Sequence, residues 1–252
     1  MPETAPPSAT AAYRPTARTV PTRARERAAY DRELVHAILD EAYICHLGFV
    51  RDGAPVVLPT LYGRVGERLY VHGSAGSRPL RMAGGPRSAS EQAGAAADGT
   101  EAPGADGADG TEAPGLAVCL TVTHVDGLVL ARSAFHHSIN YRSVVVHGIA
   151  RQVTDAEERR TALDAIVDHV VPGRSYDSRP ANDRELAATA VIRLDLDEVS
   201  AKVRTGGPND DAEDVGLPHW AGVVPLARGY GTPVPADDLD PAVALPDYLS
   251  VL

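Results

Sequence analysis

Short runs of alternating apolar and polar residues fill most of the chain, separated by turn signals. Tyr43 to Val50 (YICHLGFV) and Ala54 to Tyr62 flank Arg51-Asp52-Gly53, so they predict a β-hairpin. A second turn, Val65-Gly66-Glu67, leads into a third strand from Arg68 to His72. Three strands joined by tight turns form an antiparallel meander rather than a βαβ unit. The period changes on either side of this meander. Arg23 to Ala42 has helical spacing, with Ala29, Leu34, Val35, Ile38 and Leu39 on one face. After the third strand a short helix to about Met82 is expected, with Ser74 as its N-cap. Alternation resumes at Leu116. It predicts strands from Leu116 to His124 and Leu128 to Ala134 around a turn at Asp126-Gly127, a polar link from Phe135 to Asn140, and a long strand from Tyr141 to Val153. Thr154 opens a helix that ends at Pro172-Gly173, and Asn182 or Asp183 opens a shorter one. Ala190 to Leu196 and Val199 to Val203 read as the last strands. The sum is a mainly β domain of six or seven antiparallel strands, a small closed or split barrel with helices at its edges.

Three segments fall outside this pattern. Residues 1–24 are rich in Pro, Thr and Ala and are expected to be disordered. Residues 84–115 have almost no large apolar side chain and repeat DGTEAPG at 98–104 and 109–115. Such a low-complexity insert cannot offset the entropy of folding. Residues 209–252 form an acidic, Pro-rich tail, whose Trp-Ala-Gly-Val island is expected to pack on the domain formed by 25–208.

Charge follows the same division. The net charge of −10 resolves into +3 over residues 1–30, −5 over 84–115 and −7 over 209–252, so the folding part is close to neutral. That balance argues against a nucleic-acid partner. Cys45 and Cys119 lie in apolar runs with no CxxC spacing and read as buried structural thiols. No apolar run is long enough for a membrane span, and the N-terminus lacks a signal-peptide core, so a cytoplasmic location is expected. The single lysine, Lys202, sits in a strand pattern, which argues against Schiff-base chemistry.

Candidate chemistry gathers at Leu69 to Arg81, LYVHGSAGSRPLR. A strand ending in Gly and Ser at a helix start offers backbone N–H groups and the positive end of a helix dipole. Arg78 adds a planar fork suited to phosphate. His72 at the strand end could give a proton to a substrate or ligate a haem iron. His136 and His137 are adjacent and point apart in an extended link, so no metal site is expected there.

Three ordered pieces, LYVHGSAGSRPLRM, FHHSINYRSVVVHGIARQVTDAEER and HWAGVVPL, together resemble the FMN-binding split-barrel superfamily of pyridoxamine 5′-phosphate oxidase-like proteins, and within it the nitroimidazole-resistance or flavin-nucleotide-binding branch. The resemblance implies a six-stranded antiparallel split barrel, a homodimer, and FMN in a groove at the subunit interface. It assigns Ser77 and Arg78, with Ser74, to the flavin phosphate, and Val71 and His72 to the strand end beside the ring. The strand edge at Pro59 and Thr60 would face the isoalloxazine, Arg142 and Ser143 would match a later cofactor-binding step, and Trp220 would cover the cofactor. Pro79 stands where the oxidases carry a lysine, which removes one phosphate-binding cation. The function implied is an FMN-dependent oxidoreductase acting on small electrophilic or nitroaromatic compounds, with His72 as the candidate catalytic residue. The alternatives are a haem-binding or haem-degrading barrel, a non-catalytic flavin-binding protein, and a deazaflavin in place of FMN.

Overall fold

The computed structural model describes residues 12–84 and 115–250, the Arg78 side chain excepted. Strands are β1 (Ala28–Ala29), β2 (Ile44–Arg51), β3 (Ala54–Leu61), β4 (Gly63–Val65), β5 (Arg68–Ser74), β6 (Leu116–Leu130), β7 (Ser138–Gln152), β8 (Thr189–Asp195), β9 (Glu198–Arg204) and β10 (Gly222–Pro225). Helices are α1 (Arg32–Glu41), α2 (Arg78–Met82), α3 (Ala156–Val170), α4 (Asp183–Ala188) and α5 (Asp247–Ser250). The sheet runs β3-β2-β6-β7-β8-β5-β4, with β9 also beside β7, β1 beside β9, and β10 beside β6. β7 pairs with β9 along Tyr141 to His147 and then with β8 at Arg151 and Gln152, so the sheet divides along one strand. β3 continues through Tyr62 into β4, which pairs with β5 and brings the two ends of the sheet together. This is the antiparallel split barrel, mainly β with flanking helices.

The barrel interior follows the alternation. Cys45, Leu47 and Phe49 of β2 point inward, as do Val118, Leu120 and Val122 of β6 and Val144 and Val146 of β7. Burial pushes the Cys45 thiol up to about 12, as expected for an inert core cysteine. α1 plugs one end with Val35, Ile38 and Leu39, each fully buried and each stabilising by about 1.5–3 kcal/mol. Tyr62, fully buried beneath it, donates its hydroxyl to the Leu39 carbonyl. Outside the barrel, α3 covers a smaller cluster of Tyr70, Val153, Ala162, Ile166 and Val191. The helix rests on β4 at Gly63, where a Cβ would lie 2.8 Å from the Ala165 carbonyl carbon. Only glycine permits that approach.

Four expectations from the sequence are corrected. The first helix begins at Arg32 and not Arg23, because the Asp31 carboxylate accepts the Leu34 N–H at 2.8 Å, while 28–29 are strand. β6 is one strand: Asp126-Gly127 marks a register shift, a bulge that lets the strand continue. α3 is capped by Asp155 rather than Thr154. Order begins by residue 12 rather than 25: Tyr13 is buried, its N–H bonds the Tyr30 carbonyl at 2.8 Å, and its hydroxyl donates to Glu67 at 2.8 Å. Residues 1–11 and 85–114, which hold most of the segments expected to be disordered, lie outside the described residues.

In the tail, β10 pairs with the second half of β6, from Gly222 opposite Leu130 to Pro225 opposite Gly127. Asp210 accepts both the backbone N–H and a guanidinium N–H of Arg132 at 2.8 Å. Among the described residues no helix is long and apolar enough to cross a membrane.

Candidate functional site

Strand alternation decides what β5 offers. Val71 faces the core and is buried, so its side chain cannot meet a ligand; this corrects its pairing with His72 as ligand-facing neighbours. His72 faces the other way, opposite Val191 of β8 and on the same face as Tyr70. Neither ring nitrogen has a hydrogen-bond partner among the described residues, and Nδ1 is buried. Burial lowers its pKa, so the imidazole is held neutral with a lone pair available.

The turn after β5 is less open than its composition suggests. Ala75 donates to the Ala188 carbonyl at 2.8 Å, Gly76 to the Ser74 hydroxyl at 3.2 Å, and Ser77 to the Ser74 carbonyl at 2.8 Å. These three amides are spent within the fold and do not form a phosphate nest, and Pro79 has no N–H. The N-cap of α2 is Ser77, not Ser74, and the Ser77 hydroxyl makes no capping bond. That hydroxyl, the exposed Ser74 hydroxyl and the helix-start amides of Arg78 and Leu80 are what the turn can present. The Arg78 side chain lies outside the described residues.

β3 is the terminal strand of its sheet, so the outer backbone edge at Pro59 and Thr60 is open among the described residues. Pro59 faces outward and is exposed. Thr60, opposite Cys45, faces inward. Because β3 leads into β4 and touches β5, this edge lies beside the end of β5.

Arg142, Ser143 and Trp220 are elsewhere. Ten residues of β7 separate Arg142 from Gln152, which pairs with Ile192 next to His72's neighbour Val191. That is about 33 Å of extended strand. Arg142 is also fully engaged: it donates to Asp126 at 2.8 and 3.0 Å and to Glu41 through two N–H groups, one of them at 2.8 Å. Hydrogen bonds from Arg142 hold both carboxyls below their usual range. It is a structural clamp and has no donor face free for phosphate. Ser143 points to the opposite side of the sheet and donates to the Lys202 carbonyl at 3.3 Å. Trp220 is 66% exposed and packs only its ring edge on Gly222. Within one chain these three do not converge on His72.

One residue of the helix over β5 and β8 escaped the sequence reading. Arg159 of α3 has a buried Nε with no partner among the described residues. The sequence reading gave it no role. Its place four residues before the half-buried Leu163 was the available signal.

The model of the family described as pyridoxamine 5′-phosphate oxidase matches residues 31–102 and 100–203. The chain belongs to this family. Among solved structures it is similar to the flavocytochrome Anf3 from Azotobacter vinelandii, with 35% identity, a TM-score of 0.78, and coverage of 95% of this chain and 98% of that one. It is also similar to the FAD and haem binding protein from Mycobacterium smegmatis, with 34% identity, a TM-score of 0.74, and coverage of 89% and 96%. A 5-nitroimidazole antibiotic resistance protein from Bacteroides thetaiotaomicron aligns at 20% identity over 70% of this chain and 86% of that one, with a TM-score of 0.49. No curated protein matches the chain. The family match stops at residue 203, whereas coverage of 95% by the flavocytochrome carries the likeness well into the C-terminal tail.

The residues at the β5 end suit a flavin or haem in a defined way. A neutral imidazole whose Nδ1 is buried and whose Nε2 is neither buried nor bonded among the described residues can offer Nε2 to iron or to the polar edge of a flavin ring. Val191 stands opposite His72, and Leu61 and Leu163 pack on the same cluster as Val191, an apolar setting that suits a flat, largely apolar group.

Proposed function

We propose that this protein binds a flavin and a haem and carries electrons from an external donor to a small acceptor. The observation that carries this reading is His72, whose ring nitrogens have no partner among the described residues and whose Nδ1 is buried at the end of β5. Two relatives at 35% and 34% identity, matched over nearly their whole lengths, are a flavocytochrome and an FAD and haem binding protein, which supports extending both groups to this chain. A bound flavin exchanges two-electron for one-electron chemistry, and a bound haem is a one-electron carrier.

In this reading His72 is the iron ligand. Burial keeps it deprotonated, so no proton competes for the lone pair at neutral pH. The Ser77 and Ser74 hydroxyls, with the α2 amides and Arg78, bind the flavin phosphate. The open edge of β3 at Pro59 and Thr60 hydrogen-bonds the ring.

A homodimer belongs to the same proposal. The outer face of the main sheet exposes Ile44, Val50, Val57 and Ile149, with Val57 60% exposed. A second copy seated there would cover that face and could bring its own Arg142 end and Trp220 toward the His72 end of the first.

The test is the absorbance spectrum of the purified full chain titrated with haemin and with flavin. A haem band from the wild type that His72→Ala loses, together with release of FMN or FAD on denaturation, is expected. A wild type that takes up flavin alone would remove the haem half of the reading. A haem band unchanged in His72→Ala would remove His72 as ligand.

A further inference from the structure

We infer that Arg159 binds a carboxylate of the ligand that meets His72; resting on the reading above, that carboxylate is a haem propionate. The argument starts from the faces of α3. Ala162 and Ile166 point down into the cluster over β5 and β8. Glu158 lies on one flank and reaches the start of β5, accepting from Tyr70 at 2.9 Å and from Arg68 at 3.4 Å. Ala165, on that flank, meets Gly63, which pairs with Tyr70. Arg159 is turned 100° from Glu158 and shares the other flank with Leu163. That flank faces the opposite way along β5, toward the end where His72 stands beside Val191. Leu163 and Leu61 pack against that cluster, so the side chains described on this flank beside Arg159 are apolar.

Among the described residues Arg159 has a buried Nε with no acceptor and no acid beside it. Arg32, Arg64, Arg68, Arg132, Arg142 and Arg193 each pair with a carboxylate. Two acids of the same helix end are committed elsewhere: Asp155 caps the helix, and Glu158 bonds Tyr70 and two arginines, while Glu157 is exposed. A guanidinium N–H buried without an acceptor is unfavourable until an anion arrives, and a carboxylate accepts from two guanidinium N–H groups at once. Haem pairs a flat apolar body with carboxylates at one edge, which matches an imidazole and an arginine separated by leucines.

The experiment titrates the full chain, as wild type, Arg159→Ala and Arg159→Lys, with haemin and with haemin dimethyl ester, whose propionates carry no charge. Absorbance reports both affinity and the iron ligand, and thermal melting checks that each variant is folded. Arg159→Ala is expected to weaken haemin by about 10- to 100-fold, the scale of one charge-assisted hydrogen bond, with the wild-type haem spectrum retained. Arg159→Lys should recover part of that loss. The ester should bind the wild type as weakly as haemin binds Arg159→Ala, and should not distinguish the two proteins. Equal haemin affinity in wild type and Arg159→Ala overturns the inference and leaves the haem reading intact. So does an equal loss of haemin and ester, which would make the arginine a packing group. Weakened flavin with unchanged haemin overturns it too, since the anion would then be the flavin phosphate. A wild type that takes up no haem overturns the reading beneath it, and that is visible before any variant is made.

Discussion

The two ends of the barrel treat polar groups in opposite ways. Where α1 stops, Arg142 bridges Glu41 and Asp126, and His124 donates to the Ile38 carbonyl at 2.9 Å. The one unbonded nitrogen there, Nδ1 of His124, still lies 3.7 Å from Glu41. Where β5 stops, His72 and Arg159 bury nitrogen atoms that meet no partner. A closed network has already recovered its desolvation and fixes the geometry around it. An open one keeps that unfavourable term until something binds. The first end closes the fold, and the second, among the described residues, leaves two buried nitrogens open; in the proposed function a ligand fills them.

The largest test of this contrast is His72→Ala, which should abolish the haem band while leaving the folded state at least as stable as before. Substituting a residue of the closed end should do the reverse. Arg142→Met is expected to lower stability by about 1–2 kcal/mol, a value reduced for the partial exposure of its carboxylate partners, with cofactor affinities unchanged. A urea melt beside a haemin and a flavin titration separates the two outcomes, and lost affinity at wild-type stability would make Arg142 a ligand residue after all. A smaller effect concerns pH. Burial sets the folded pKa of His72 below the unfolded value near 6.5, so the unfolded chain protonates first as pH falls. The stability contribution of neutral His72 is complete above that value and declines as pH drops from it toward the folded pKa. His36 and His147 are shifted the same way, so the readout is the difference in slope between wild type and His72→Ala, with the wild type steeper. Equal slopes would mean that His72 is as solvated as in the unfolded chain. Smallest is Trp220→Ala, which should change the stability of the isolated chain by less than about 0.5 kcal/mol, since the ring covers little of its own subunit. A larger loss that depends on protein concentration would place Trp220 in the dimer contact.

Much of the fold was legible because period-2 alternation and Gly turns report local geometry directly. Ile44 to Leu61 reads as a hairpin at Arg51-Asp52-Gly53, and a hairpin is there. The bulge in β6 was not legible, since Asp-Gly serves a turn and a bulge equally well and only the partner strands decide. Tyr13 was missed because its partners, Tyr30 and Glu67, lie far along the chain. The site divided similarly. His72 could be singled out because its place at a strand end is a local property. The engagement of Arg142 could not, because Glu41 is 101 residues away. The spent amides of Ala75 to Ser77 were hidden for a related reason. Their acceptors include the Ala188 carbonyl, which folding alone brings beside them.

The contact of α3 with Gly63 makes one glycine the spacer between two layers. With no side chain at 63, the helix backbone sits directly on β4. Any larger residue would lift α3 and carry Leu163 and Arg159 outward with it. Position 63 thus acts as a shim: the separation of helix and sheet is set by a residue that contributes no side chain to either.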